Sequence, residues 1–89
     1  MAIYLITYDL HEKTYENELL AHIKKGPWAR LTESSYAVIR DEAPDAIITE
    51  IRRITKDTIT VYALSIGSPW NGLGLKEVND WLSRHLHSQ

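Results

Sequence analysis

The sequence predicts an α+β domain in which two helices lie on one face of a four-stranded antiparallel sheet and a further helix is appended at the C-terminal end. Three observations carry that expectation. Segments of strand and helix character follow one another in the order strand, helix, strand, strand, helix, strand, helix. The first strand is apolar on both of its sides, which places it inside a sheet covered on both faces. A length of 89 residues with 44% apolar and 25% charged content suits one small domain. A chain of that size buries about 60–65% of its unfolded surface and gains from a partner subunit.

Ala2 to Leu10 is rich in β-branched and aromatic residues, with Ile3, Leu5, Thr7 and Asp9 on one side and Tyr4, Ile6, Tyr8 and Leu10 on the other. Glu12 to Lys25 reads as an amphipathic helix, because Tyr15, Leu19 and Ile23 recur at helical spacing with Leu20 beside them. Gly26-Pro27 stops it, through a glycine left-handed cap and a proline that cannot continue the helix. Trp28 to Thr32 and Ser34 to Arg40 read as two strands joined tightly near Glu33. Ala43-Pro44-Asp45 opens a second helix with the stripe Ile47 (or Ile48), Ile51 and Ile54. Thr58 to Ile66 alternates as a strand, and Leu75, Val78, Leu82 and Leu86, with Trp81, mark a helix over Leu75 to Leu86. Right-handed crossovers turn this order into the ferredoxin-like βαββαβ arrangement, with the strands lying fourth, first, third, second. The expected organisation is a core over residues 1–66, a Gly/Pro/Trp loop over 67–74 and a helix with its tail over 75–89, together one domain.

The composition also limits function. There is no Cys, so disulfides, thiolate metal sites and a Cys nucleophile are excluded. No apolar run approaches the ~18 residues of a membrane span, so no membrane partner is expected. Met1-Ala2-Ile3-Tyr4 lacks the basic opening of a signal peptide, and the expected location is cytoplasmic. A net charge of −2 argues against strong non-specific nucleic-acid binding, which needs a basic surface. The four histidines show no matched ligand spacing, so no zinc site is expected.

The topology gathers one set of polar residues at one edge. Asp9, at the end of the first strand, falls beside Ser34 and Ser35 and beside Thr58, with His11 and Glu12 following and Arg52, Arg53 and Lys56 arriving from the second helix. Such a group suits a metal or a phosphate. Asp9 closes an apolar strand, where a carboxylate needs a partner or water; it either caps the following turn or holds a ligand. The basic residues near helix C-termini and the acids near helix starts complement the helix dipoles without any ligand. If the helices cover the Ile3 side, Tyr4, Tyr8, Tyr36 and Tyr62 share the open face. That face either stacks RNA bases or is buried by a second subunit or by the Leu75–Leu86 helix. The Gly67–Gly74 segment lacks the ending of a phosphate loop and reads as a turn tucking Trp70 inward, or as a lid or partner-binding loop.

Ile3-Tyr4-Leu5-Ile6-Thr7-Tyr8-Asp9-Leu10, and more weakly Glu33-Ser34-Ser35-Tyr36-Ala37-Val38, resemble two related families. These are the small CRISPR-associated proteins that partner the spacer integrase and the virulence-associated protein D ribonucleases. The resemblance implies a homodimer joined through sheet faces, RNA or DNA as partner, and membership of a larger protein complex. It also implies a metal-dependent endonuclease in which paired Asp9 carboxylates hold magnesium or manganese. Ser34, Ser35 or Lys56 would then orient the phosphodiester backbone, with Lys56, Arg53 and Tyr36 as nucleic-acid contacts. A non-catalytic dimeric adaptor or regulator is the other reading.

Overall fold

The protein is described by a computed structural model over residues 2–86. Its elements are β1 (Ala2–Leu10), a 3-10 turn (Lys13–Tyr15), α1 (Glu16–Ile23), β2 (Trp28–Thr32), β3 (Ser35–Arg40), α2 (Pro44–Thr55), β4 (Ile59–Ser65) and α3 (Lys76–His85). The strands pair antiparallel in the order β2-β3-β1-β4, so β1 and β3 are interior. This is the ferredoxin-like arrangement with a helix added after β4. None of the described helices is long and apolar enough to cross a membrane.

The first helix is shorter than its apolar stripe suggests. The Thr14 hydroxyl donates to the Glu12 carboxylate at 3.0 Å, and no side chain caps either the 3-10 turn or α1. Such local bonding competes with helical hydrogen bonds, so α-helix begins only at Glu16. The second helix buries Ile47, Ile51 and Ile54, the predicted stripe. Its C-terminal turn uses left-handed backbone at Lys56 (φ 54°) and Asp57 (φ 63°), whereas no glycine has positive φ. The left-handed cap expected at Gly26 is therefore absent. Glycine serves a close approach there instead: a Cβ would lie 3.3 Å from the Ile39 carbonyl oxygen, a tight contact.

The two sheet faces are exchanged relative to the sequence reading. Tyr4, Ile6, Tyr8, Tyr36 and Val38 face α1 and α2 and pack with Leu19, Ile23, Ile47 and Ile51. The tyrosine-bearing face is thus the covered one, and Tyr62 lies on the opposite side, in register with Thr7. Both sides of β1 are apolar, so alternation alone leaves their direction open; side-chain size decides it. Bulky side chains fill the wide space under two helices. Ala29 and Ala37, on the second face, let α3 approach closely with Trp81 and Leu82. Leu86, Ile3, Ile66, Trp70 and Val78 complete that smaller core. The helix-forming C-terminal segment therefore buries a sheet face, as one sequence reading held, but the opposite face from the one assigned. On that second face Tyr62 and Leu64 in β4 are 61% and 48% exposed.

Candidate functional site

Asp9 stands at the tip of interior strand β1, on the second face, opposite Thr60 of β4. Two backbone hydrogen bonds fix the surroundings: the Tyr8 N–H donates to the Ser34 carbonyl at 3.0 Å, and the His11 N–H donates to the Thr58 carbonyl at 2.9 Å. The predicted gathering of Asp9, His11, Ser34 and Thr58 at one edge is thus realised. The His11 imidazole lies beside Asp9's cross-strand neighbour, with Nε2 3.1 Å from the Thr60 hydroxyl. Asp9 itself is exposed, and its carboxylate has no hydrogen bond or ion pair among the described residues. It caps nothing: Glu12 precedes the 3-10 turn and Tyr15 precedes α1.

The other predicted residues divide. Ser34 is exposed in the β2–β3 turn, next to the Asp9 strand. Ser35 is buried, and its hydroxyl is 2.6 Å from that of Thr32, so its oxygen is already used in holding the β2–β3 pair together. Lys56 is exposed at the end of α2 and has no carboxylate partner among the described residues. Arg53 is bound to Glu50, and Arg52 to Asp57 at 2.6 Å, so this turn offers less free positive charge than the sequence suggests. Tyr36 is 1% exposed inside the helix-covered core. A ring so placed has no face to offer a base, and the stacking platform expected of the tyrosine face is corrected accordingly.

One chain does not make a full metal cage: among the described residues no three His, Asp or Glu side chains converge. Magnesium does not demand one. It keeps several waters and is commonly held by one or two carboxylates together with substrate phosphates. A free, exposed carboxylate oxygen pair fits that mode of binding.

Two further features stand apart from Asp9. A cavity of about 490 Å³ opens between the second sheet face, the 67–74 loop and α3, with Leu5, Leu31, Trp70, Leu75 and Leu82 among its walls. Trp70 tucks inward there as expected, against Ile3, Ile66 and Val78. Among the described residues the cavity's one charged wall residue is Arg30, whose guanidinium turns to the Thr32 and Glu33 carbonyls, at 3.3 and 3.1 Å, so the described lining includes no acid–base group. The second feature is a buried polar knot that the sequence reading passed over. Arg40, 6% exposed, donates to the His22 and Ile23 carbonyls at the end of α1 and to the Glu42 carboxylate at 3.1 Å. His22 is equally buried, with Nε2 unpartnered. Burial first, then Arg40 and Lys25, hold its pKa below the ordinary 6.5.

No known protein family matches the chain in sequence, and no curated protein matches it. Among solved structures it is similar to a hypothetical protein, TT1823, from Thermus thermophilus. The match has a TM-score of 0.66 at 16% identity and covers 83% of this chain and 92% of that one. The similarity extends to the fold.

Proposed function

We propose that the protein is a cytoplasmic homodimer that binds nucleic acid and cleaves phosphodiesters with a divalent metal held by Asp9, in the manner of the small CRISPR-associated and virulence-associated protein D families it resembles. One observation carries the reading: Asp9 is an exposed carboxylate without cap or ion pair at the tip of an interior strand. A structural aspartate at a strand-to-helix junction normally bonds the next turn's amides; this one does not. Tyr62 and Leu64, on the same face and half or more exposed, give a second copy an apolar surface to cover. A two-fold axis passing beside Asp9 on this face would bring the two Asp9 carboxylates together.

A divalent ion held by Asp9 would supply Lewis-acid polarisation of a phosphodiester oxygen. Asp9 contributes hard oxygen donors, which suit magnesium or manganese. Ser34, exposed beside the strand tip, is within the same cluster to donate a hydrogen bond to the nucleic-acid backbone. Lys56 draws phosphates electrostatically. His11, anchored at Thr60, lies on Asp9's side of the sheet as a proton carrier.

Cleavage of labelled RNA and DNA, single- and double-stranded, with magnesium or manganese tests this. The expected result is metal-dependent cleavage that falls at least 100-fold in Asp9→Asn while the fold is unchanged. Cleavage that survives in Asp9→Asn removes the assignment. Binding without cleavage by the wild-type chain leaves the adaptor reading.

A further inference from the structure

Two cations outside the ion pairs, Lys24 and Arg30, stand at an exposed tryptophan and its tyrosine neighbour on the β2 edge of the sheet, away from Asp9. Arg40, Arg52, Arg53 and Lys76 are matched by Glu42, Asp57, Glu50 and Asp80. Lys24 and Arg30 have no carboxylate partner among the described residues. Lys24 is the C-cap of α1, and Trp28 and Arg30 lie in register with Val38 and Tyr36 of β3. The Lys24 ammonium is 4.7 Å from the Trp28 ring centroid and 5.9 Å from that of Tyr36. The Arg30 guanidinium is 5.8 Å from the Tyr36 centroid. Trp28 rests on Tyr36, with centroids 5.8 Å apart and planes inclined at 59°, and is 40% exposed. The buried tyrosine is thus the floor of the patch and the indole its surface.

We propose that this patch binds single-stranded nucleic acid: an unpaired base stacks on Trp28, Lys24 moves from the indole to a flanking phosphate, and Arg30 meets a second. The proposal rests on the nucleic-acid part of the proposed function and gives it a binding site separate from Asp9. An exposed indole with one unmatched cation over it and a second at its tyrosine floor complements a ligand that carries flat π-faces and negative charges together. Single strands present both. A duplex keeps its bases stacked inside, and an acidic peptide leaves the indole unused. Arg30 is already oriented by two backbone carbonyls, whereas Lys24 sits on a flexible stem able to follow the strand.

The test is fluorescence anisotropy of the full-length chain with labelled twelve-nucleotide dT and U oligomers, a matched duplex and competing UMP, in EDTA so that no metal contributes. Single strands should bind more tightly than the duplex. Trp28→Ala should weaken that binding about tenfold and Trp28→Phe much less, since stacking tolerates any aromatic face. Lys24→Gln and Arg30→Gln should each flatten the salt dependence by about 0.7 in log–log slope, the value for one phosphate contact on a single strand. Circular dichroism and the phenylalanine variant separate lost stacking from lost folding. Equal binding by wild type and Trp28→Ala, preference for duplex, competition by UMP as strong as by oligomer, or no binding at low salt overturns the proposal. Asp9→Asn should bind as wild type in this assay. Loss of cleavage in Asp9→Asn beside unchanged binding in Trp28→Ala sinks the patch alone; Trp28-dependent binding without any cleavage sinks the metal reading alone.

Discussion

Replacing Arg40 by alanine removes the side-chain hydrogen bonds that tie β3 to the end of α1. The last carbonyls of a helix have no intrahelical donors. Arg40 donates to two of the closing carbonyls, that of His22, which also takes the backbone N–H groups of Lys24 and Lys25, and that of Ile23, and it meets Glu42 as well. Hydrogen bonds to charged groups contribute about 1.5–3 kcal/mol each before the cost of burying the cation is returned. Water entering through the adjoining recess of about 400 Å³, lined by Lys25, Gly26, Pro27 and Glu42, rehydrates part of what is exposed. The net loss for Arg40→Ala is then about 2–3 kcal/mol. At roughly 4–8 °C per kcal/mol for a domain of this size, the melting temperature should drop by about 10–20 °C. Arg40→Met keeps most of the packing volume and removes the buried charge, so it should cost about 1 kcal/mol. Urea unfolding followed by circular dichroism measures both. A loss below about 0.5 kcal/mol for alanine, or equal losses for alanine and methionine, would show that the arginine acts as filler and that the bonding argument is wrong.

His22 makes stability depend on pH. Its folded pKa lies below the ordinary 6.5, so the unfolded chain takes up the proton first; its stabilising contribution is complete above about pH 6.5 and declines as the pH falls below it. Arg40 and Lys25 push in that direction, Glu42 and Glu50 oppose it, and both of those carboxyls are themselves held low by hydrogen bonds, so they give up their contributions only at more acid pH. Urea midpoints should fall between pH 7 and 5.5 in the wild type and stay flat in His22→Gln; equal slopes would discount the histidine. On the second sheet face, Tyr62→Glu with Leu64→Glu should abolish dimerisation in analytical ultracentrifugation while leaving the circular dichroism spectrum intact. Dimers that persist in that variant would move the interface elsewhere.

Strand and helix order, the interior place of β1 and the isoleucine stripe of α2 were legible because each rests on a local pattern: period two, period 3.6, and a proline at the helix start. The direction of the tyrosine face was not. Ile3, Leu5 and Tyr4, Ile6 are equally apolar, and the deciding feature, Ala29 and Ala37 clearing room for Trp81, becomes visible only when β2, β3 and α3 are stacked. The same limit hid Trp28, whose neighbours Lys24 and Arg30 are brought to it by the α1–β2 turn and by strand parity. Asp9 was legible as a carboxylate late in an apolar strand, whereas the missing cap depends on how the chain turns after it. Arg40 ends β3, and Asp9 falls one residue before the end of β1, each a charged residue late in an apolar run, so the signal was present for both; burial separates them. For Arg52 and Arg53 the sequence showed charge, and the pairing with Asp57 and Glu50 cancelled it.

Manganese titration of the protein, followed by electron paramagnetic resonance, tests the proposed metal site most directly. If the two Asp9 carboxylates share one ion, the wild-type chain should bind one manganese per two protomers, and Asp9→Asn should bind none at that site. Undiminished binding in Asp9→Asn, or a wild-type chain that takes up no manganese, contradicts the assignment of Asp9 as the metal ligand.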